Sequence, residues 1–374
     1  MPVSPESVTN ESSDGTPRLL VVSLSWLGDC VMAMPAMAAF RKRLPHAHIT
    51  ILAKPSVATL WTLFPGIDGV IPLQKGFGGM RETIRLVKAG RFDFAYILPN
   101  SFRSALIPWL AGIPGRRGRS GQGRRLMLTE SVQLSESALR GHQSLEIAEI
   151  MHIPPNCLES PPFLVVPKAE HEKALLRLPG NRPCVAFFPG ASYGPAKRWP
   201  ADRFAVLGRK LVAEQGCSVL VLGSKADRSI CDEVAVGIGG GAMNLAGETE
   251  LTELTALLGL CRVVVANDSG GMHLAAGLGV GVVGIFGVTD PAKTAPVGSR
   301  SRVLCAEGVS RSRDIARDSL EARTAMESIA VETVYQAVLS QWPVGSGQWP
   351  VGSEQRAESS EQWAVSSDTH SSEQ

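Results

Sequence analysis

The chain has no surplus of either charge. Its 37 Lys and Arg face 35 Asp and Glu, a formal net charge of +2, so bulk electrostatics give no reason to bind nucleic acid. It has no paired cysteines: Cys30, Cys157, Cys184, Cys217, Cys231, Cys261 and Cys305 are odd in number, scattered and never in C-x-x-C spacing. That argues against a disulfide framework or a zinc site; most lie in apolar runs and read as small buried hydrophobes. It lacks an uninterrupted apolar run of the ~20 residues that cross lipid. The nearest stretch, 263–288, is Gly-rich and broken by Asn267, Asp268 and His273, and reads better as strand–helix–strand. Residues 1–17 are polar with no apolar signal-peptide core, so a disordered N-terminal segment and a cytoplasmic location are expected. No G-x-G-x-x-G follows the first apolar run, no Gly-Lys-Ser/Thr or H-E-x-x-H occurs, and Asp93 has no second acid in Asp-x-Asp spacing. These absences speak against dinucleotide, P-loop, zincin and metal-diphosphate chemistry, and no cofactor or obligatory metal is expected.

What is present is length and alternation. With 374 residues, 44% of them hydrophobic, the chain can build two domains with separate cores. Residues 19–24 form a continuous apolar run of the kind that parallel strands covered on both faces require. A turn at 25–29, a helix over 30–44, a strand over 47–52, a helix over 80–89 and a strand over 94–98 follow. The Pro-rich stretch 154–167 interrupts the pattern and reads as the linker. Alternation then resumes: strand 184–188, helix 201–215, strand 218–222, helices 226–236 and 250–259, strand 262–266, helix 270–278 and strand 280–286. The expected fold class is α/β, two Rossmann-like parallel-sheet domains, 18–167 and 168–340, facing a central cleft with ligands at the strands' carboxyl ends. Residues 341–374 contain a near repeat, Gln341-Trp-Pro-Val-Gly-Ser-Gly347 and Gln348-Trp-Pro-Val-Gly-Ser-Glu354, and then Ser/Glu/Gln-rich sequence. This low-complexity tail is too polar for a core and is expected to be disordered; it reads either as an appendage or, through its three tryptophans, as a docking motif.

Two strand ends carry the chemistry. Cys184-Val-Ala-Phe-Phe188 runs into Pro189-Gly-Ala-Ser-Tyr-Gly-Pro-Ala-Lys-Arg-Trp-Pro200, a Pro- and Gly-shaped turn that brings backbone N–H groups and Lys197 to one point, as a phosphate requires. Lys197 is either a stabiliser of a departing diphosphate or a solvated lysine beside Arg198. The second end, Val263-Val-Val-Ala-Asn-Asp-Ser-Gly-Gly-Met-His273, offers the N–H groups of Ser269, Gly270 and Gly271 at a helix start. Asp268 is there either an N-cap or part of that anion site, and His273 is either structural or within reach of the anion. Gly28-Asp29 occupies the first strand–helix turn of the other domain, where Asp29 is an N-cap or a carboxylate placed to act as general base. Arg116, Arg117, Arg119, Arg124 and Arg125 crowd a Gly-rich segment without aromatics. They read as a mobile basic loop, either solvated or binding an anionic acceptor.

Together Ser25-Trp-Leu-Gly-Asp29, the 98–108 block Leu98-Pro-Asn-Ser-Phe-Arg-Ser-Ala-Leu-Ile-Pro108, the 189–200 block, Asn244-Leu-Ala-Gly-Glu-Thr249, and Asn267-Asp-Ser-Gly270 with Met272-His273 resemble the lipopolysaccharide heptosyltransferases, glycosyltransferase family 9. The resemblance runs from about Leu19 to near Leu339. It implies the GT-B fold and an inverting, metal-independent transfer of L-glycero-D-manno-heptose from ADP-heptose to the first heptose of the lipid-linked inner core. Another family 9 transferase, including one adding the first heptose, is the alternative. The implied roles are Asp29 as base and Lys197 as stabiliser of the diphosphate. Ser192, Tyr193, Asp227, Thr249, Asp268, Ser269, Gly270 and His273 would contact the donor in the C-terminal domain. Asn100, Ser101, Arg103, Arg116, Arg117, Arg119 and Arg124 would contact the acceptor in the N-terminal one. The last helix is expected to pack back on the N-terminal domain. The lipid-linked acceptor implies peripheral association with the cytoplasmic face of the inner membrane. The chain departs from the family pattern at Gly271, usually a larger apolar residue, and at Val288, commonly proline. An epimerase or oxidoreductase on a doubly wound fold and a non-catalytic sugar-binding protein are the rivals from other classes.

Overall fold

The computed structural model describes residues 15–192, 194–306, 316 and 319–342. The two expected disordered tails, apart from residues 15–17, 341 and 342, and the donor-site candidate Tyr193 lie outside the described residues. In the N-terminal half the strands are β1 (Arg18–Val22), β2 (His48–Ala53), β3 (Gly69–Pro72), β4 (Phe94–Ile97), β5 (Gly115–Arg119) and β6 (Glu130–Val132). Its helices are α1 (Leu27–Arg43), α2 (Pro55–Thr62), α3 (Gly76–Ala89), α4 (Phe102–Leu110), α5 (Glu136–Arg140) and α6 (Gln143–Ile150). The C-terminal half opens with α7 (Lys168–Arg177) and carries β7 (Cys184–Phe188), β8 (Ser218–Val221), β9 (Ala242–Asn244), β10 (Cys261–Asn267), β11 (Gly281–Phe286) and β12 (Ser301–Cys305). Its other helices are α8 (Ala201–Gln215), α9 (Arg228–Ile238), α10 (Leu251–Gly259), α11 (Gly270–Gly277), α12 (Pro291–Thr294), α13 (Leu320–Ser328) and α14 (Val331–Gln341).

Both sheets are six-stranded and parallel, and both have one topology. The first reads β3-β2-β1-β4-β5-β6 and the second, from its other edge, β9-β8-β7-β10-β11-β12. Each half is therefore the doubly wound 3-2-1-4-5-6 order, with its switch point between first and fourth strands. The continuous apolar runs have the expected cause. Leu19 and Val21 join one core layer and Leu20 and Val22 another; in β7 Ala186 and Phe188 face one layer, Val185 and Phe187 the other. One layer spans both halves, joining Met32, Met34 and Phe40 of α1 to Leu274 and Ala275 of α11 and Leu257 of α10. Five cysteines, Cys30, Cys184, Cys217, Cys231 and Cys261, are buried in these layers, and burial raises each thiol's pKa. The stretch read as strand–helix–strand is β10–α11–β11, and among the described residues no helix is long and apolar enough to cross a membrane.

Three expectations change. Helix α1 starts at Leu27, not at residue 30, because Trp26 holds the extended N-cap conformation (φ −108°, ψ 144°); Asp29 is thus inside the first turn and is not the cap. Residues 116–119 are not a mobile loop. They form β5, bonded to β4 and β6, a strand whose Gly and Arg carry no apolar alternation to betray it. Helix α14 does not return to the N-terminal half: it packs on α8, β10, β11 and β12, burying Val334, Tyr335, Ala337 and Val338 in the C-terminal outer layer. The 154–167 stretch crosses between halves with Phe163 N–H donating to the Gly277 carbonyl and Val165 N–H to that of Leu63, both at 2.8 Å.

Candidate active site

Each candidate segment leaves the carboxyl end of a strand beside a switch point. Residues 23–29 follow β1, 98–103 follow β4, 189–200 follow β7 and 268–273 follow β10. Asp227 and Thr249 follow β8 and β9 on the same edge.

The two C-terminal turns are joined by one buried residue. Asn267 Nδ2 donates to the Pro189 carbonyl at 2.8 Å and its Oδ1 accepts from Trp199 N–H at 3.0 Å. Trp199 is itself buried, its Nε1 donating to the Ile329 carbonyl at 2.9 Å. Between these clamps Gly194 adopts φ 107°, ψ −164°, a conformation only glycine takes readily. The following short 3-10 turn, Pro195–Lys197, delivers Lys197 Nζ to Asp268 Oδ2 at 2.7 Å. That turn is backed by Val288 and Ala322, which enclose Ala196, so Val288 supports the lysine from behind. Asp268 is not the cap of α11: Ser269 holds that position (φ −149°, ψ 166°) and makes no side-chain cap bond. Its buried Oγ has no partner among the described residues. The Asp227 carboxylate braces the loop, accepting from Ser224 N–H and Oγ at 3.1 and 2.6 Å and lying against Gly190. Ser192 is exposed in the turn after β7, and Thr249 is half-buried ahead of α10.

The halves meet through α1 and α11. A Cβ on Gly28 would lie 2.6 Å from His273 Cδ2; Gly270 faces Leu27, and Gly277 faces Val31. These pairs advance in the same direction along both helices, so α1 and α11 run side by side with their N-termini together. Two helix N-termini and the Lys197 ammonium thus bear on one region, where an anion is favoured. Asp29 sits one residue beyond the Gly28 contact. His273 is 3% exposed, and its pKa is lowered to about 4, chiefly by burial, against the opposing pull of Asp268. The ring is neutral at pH 7, and its Nδ1 is buried without a partner among the described residues. Orphaned buried groups in a native structure call for a reason; Ser269 Oγ and His273 Nδ1 flank one helix start. Gly271 also has a reason: a Cβ there would meet the Phe188 ring at 2.5 Å, so the strand end already fills the space beside this helix position.

Three groups escaped sequence reasoning. His142 Nε2 donates to the Ala295 carbonyl at 2.9 Å while its Nδ1 accepts from Ser144 N–H at 3.2 Å, which ties the halves together and defines the tautomer. Lys293 Nζ also crosses, to the Leu139 carbonyl. Thr289 Oγ1, after β11, is a further buried hydroxyl without a partner among the described residues. A lone His at a helix start and a lone Thr in a loop leave no sequence signal.

On the N-terminal side, Ser101 Oγ caps α4 by accepting from Ser104 N–H at 3.3 Å. Asn100 Oδ1 is buried without a partner among the described residues, and Arg103 is exposed on the first turn of α4. Most of the arginines, by contrast, are committed inside the protein. Arg124 is fully buried, donating from Nη1 to the Pro99 and Ser101 carbonyls at 2.5 and 3.2 Å and to Ser104 Oγ at 3.0 Å; burial lowers its pKa to about 10. Arg116 donates to the carbonyls of Ile113 and Met127. Arg117 pairs with Glu130 at 3.0 Å and donates to the Ile150 and Glu149 carbonyls, and Arg119 pairs with Glu146 at 3.1 Å. Three of these four stand on β5, and all four are bonded to neighbouring carbonyls or carboxylates. Among the described residues no cluster of three or more His, Cys, Asp or Glu is placed to hold a metal ion.

A model of glycosyltransferase family 9 (heptosyltransferase) matches residues 80–323. The lipopolysaccharide heptosyltransferase 2 of Escherichia coli (strain K12) is 33% identical over 305 residues, covering 77% of this chain and 87% of the relative. That of Salmonella typhimurium is 34% identical with the same coverage. The solved structure of the E. coli ADP-heptose lps heptosyltransferase II superposes with a TM-score of 0.75 at 29% identity, covering 87% of this chain and 98% of that one. The two facing sheets are the GT-B fold.

Proposed function

The chain belongs to glycosyltransferase family 9, the heptosyltransferases, and from that premise we propose that it moves L-glycero-D-manno-heptose from ADP-heptose to the first heptose of the lipopolysaccharide inner core. The transfer inverts the anomeric centre and needs no obligatory metal. The single observation that carries the reading is the side-by-side start of α1 and α11, which places Asp29 next to the Gly28–His273 contact while Lys197 is held by Asp268 at 2.7 Å.

In this reading the ADP diphosphate lies at the N-terminus of α11, taking up the N–H groups of 269–271, the Ser269 hydroxyl and Lys197. The acceptor hydroxyl oxygen attacks the anomeric carbon from the face opposite ADP. The bond from that carbon to the β-phosphate oxygen breaks, its electron pair leaves with ADP, and the hydroxyl proton passes to Asp29. Positive charge on the sugar ring rises as the leaving bond stretches, as in glycoside hydrolysis. Lys197 and the two helix dipoles stabilise negative charge on the departing diphosphate. A neutral His273 adds a hydrogen-bonding nitrogen without a second positive charge. Asn100, Ser101 and Arg103 at the start of α4 receive the acceptor, and the protein works at the cytoplasmic face of the inner membrane.

The test is transfer from ADP-heptose, with EDTA present, to Kdo2-lipid A and to its mono-heptosylated form. Product from the mono-heptosylated acceptor alone supports the proposal. Product from Kdo2-lipid A alone makes the chain a type I enzyme, and no product from either refutes the assigned transfer.

A further inference from the structure

Between Asp93 and Glu130 the chain carries six arginines and not one acidic residue. Four of the six, at 116, 117, 119 and 124, are bonded within the protein. Arg103 and Arg125 are exposed and make no ion pair among the described residues. They stand on two neighbouring elements, α4 and the 3-10 turn Arg125–Met127, which pack on one another. Those elements also expose large apolar side chains: Phe102 at 45%, Trp109 at 45%, Leu110 at 46% and Leu126 at 91%. Single exposed apolar residues are ordinary. Four on adjacent elements, beside two guanidiniums and with no acid in the segment, form a patch of a different kind.

We propose that this face docks on an anionic phospholipid surface. The apolar side chains would enter the boundary between headgroups and acyl chains while Arg103 and Arg125 meet lipid phosphates. The inference rests on the proposed function, because a lipid-linked acceptor must be met at a membrane. It places the membrane contact on the outside of α4 and on the Arg125–Met127 turn, not on Arg116, Arg117, Arg119 and Arg124, which are bonded within the protein. The start of α4 carries Asn100, Ser101 and Arg103, so docking here brings the acceptor end of the N-terminal half to the bilayer. Charge complementarity selects the occupant: two exposed arginines beside apolar side chains, on a segment without an acid, suit a phosphate-covered interface.

The experiment is flotation of the full chain with vesicles of phosphatidylethanolamine containing one-third phosphatidylglycerol, against phosphatidylcholine alone. The wild type is expected to float with the anionic vesicles, less so as salt rises. A Trp109→Asp/Leu126→Asp double variant is expected to lose about tenfold or more in partitioning. It should melt like the wild type and act normally on a de-acylated, water-soluble acceptor. Arg125→Ser should keep part of the binding and flatten its salt dependence. Wild type that fails to float, or a double variant that floats equally well, overturns the proposal. So does a wild-type dimer in sedimentation that the double variant abolishes, since the face would then belong to a second copy. Flotation lost in the variant, with no transfer by the wild type to any acceptor, leaves the surface standing and removes the proposed function instead.

Discussion

The contact between Gly28 and His273 makes a sharp prediction for Gly28→Ala. The added methyl would sit 2.6 Å from His273 Cδ2 and 3.3 Å from its Cγ and Nε2. Restoring ordinary contact needs a displacement of roughly 1 Å. The ring is 3% exposed and has no open side to move into, so the strain passes to α1 and α11. Overpacking of this kind costs about 1–3 kcal/mol. The functional loss should be larger than the loss of stability, because Asp29 rides on α1 while Lys197 is tied through Asp268 to the start of α11. A shift of 1 Å between reacting groups is worth about 10²-fold in rate. Denaturant unfolding and kcat on the mono-heptosylated acceptor measure the two effects. His273→Ala removes the obstructing ring, so in the double variant the stability cost of Gly28→Ala should largely vanish, a coupling of about 1–3 kcal/mol. A Gly28→Ala protein that unfolds like the wild type, or a cost that adds in full to that of His273→Ala, would refute the close approach and with it the joined helix starts.

His273 also predicts a pH dependence. Its folded pKa is about 4 against an ordinary 6.5, so the unfolded chain takes up a proton that the native ring refuses. Stability is therefore full above about pH 6.5, falls as pH drops toward 4, and levels below that, with a loss of about 3 kcal/mol; an unchanged slope in His273→Asn would show that another group is responsible. Asp29→Ala should abolish transfer and spare ADP affinity by calorimetry, while Lys197→Met should cost about 10²–10³ in kcat; normal turnover in either removes that residue from the mechanism. Asn267→Ala orphans the buried Trp199 N–H and Pro189 carbonyl and should cost about 3 kcal/mol in guanidinium unfolding, and a loss within experimental error would mean the turns are held by something else. Arg124→Met should raise KM for the acceptor without altering ADP affinity, since Arg124 holds the Pro99 and Ser101 carbonyls; an unmoved acceptor KM would confine Arg124 to stability.

Much of the C-terminal half was legible because its strands are buried on both faces and its helices are bounded by Pro, Gly and polar turns. The strand over 184–188 and the helix over 201–215 lie where periodicity places them. The N-terminal half was less so. Strand β5 is Gly-Arg-Arg-Gly-Arg, which no hydrophobic pattern marks, because its side chains are satisfied by carbonyls and carboxylates from residues 113–150. Helix α4 was recognised only as a block of residues, for its outer face is apolar where an amphipathic helix would be polar.

By itself the sequence determined the parallel α/β class, the two-fold alternation and the identity of the turns that end β1, β7 and β10, since local chemistry decides where strands are buried and where Gly and Pro bend the chain. It also held Lys197, Asp29 and His273 as candidates, each with an ordinary alternative. Only the tertiary structure brought their partners together: it sets Lys197 on Asp268, closes His273 on Gly28 across the two halves, and bonds Arg116, Arg117, Arg119 and Arg124 within the N-terminal half. These contacts join residues from about 70 to 245 positions apart, apart from the shorter arginine links, and depend on how two sheets pack. Such separations lie beyond the reach of any pattern of 3.6 or 2 residues.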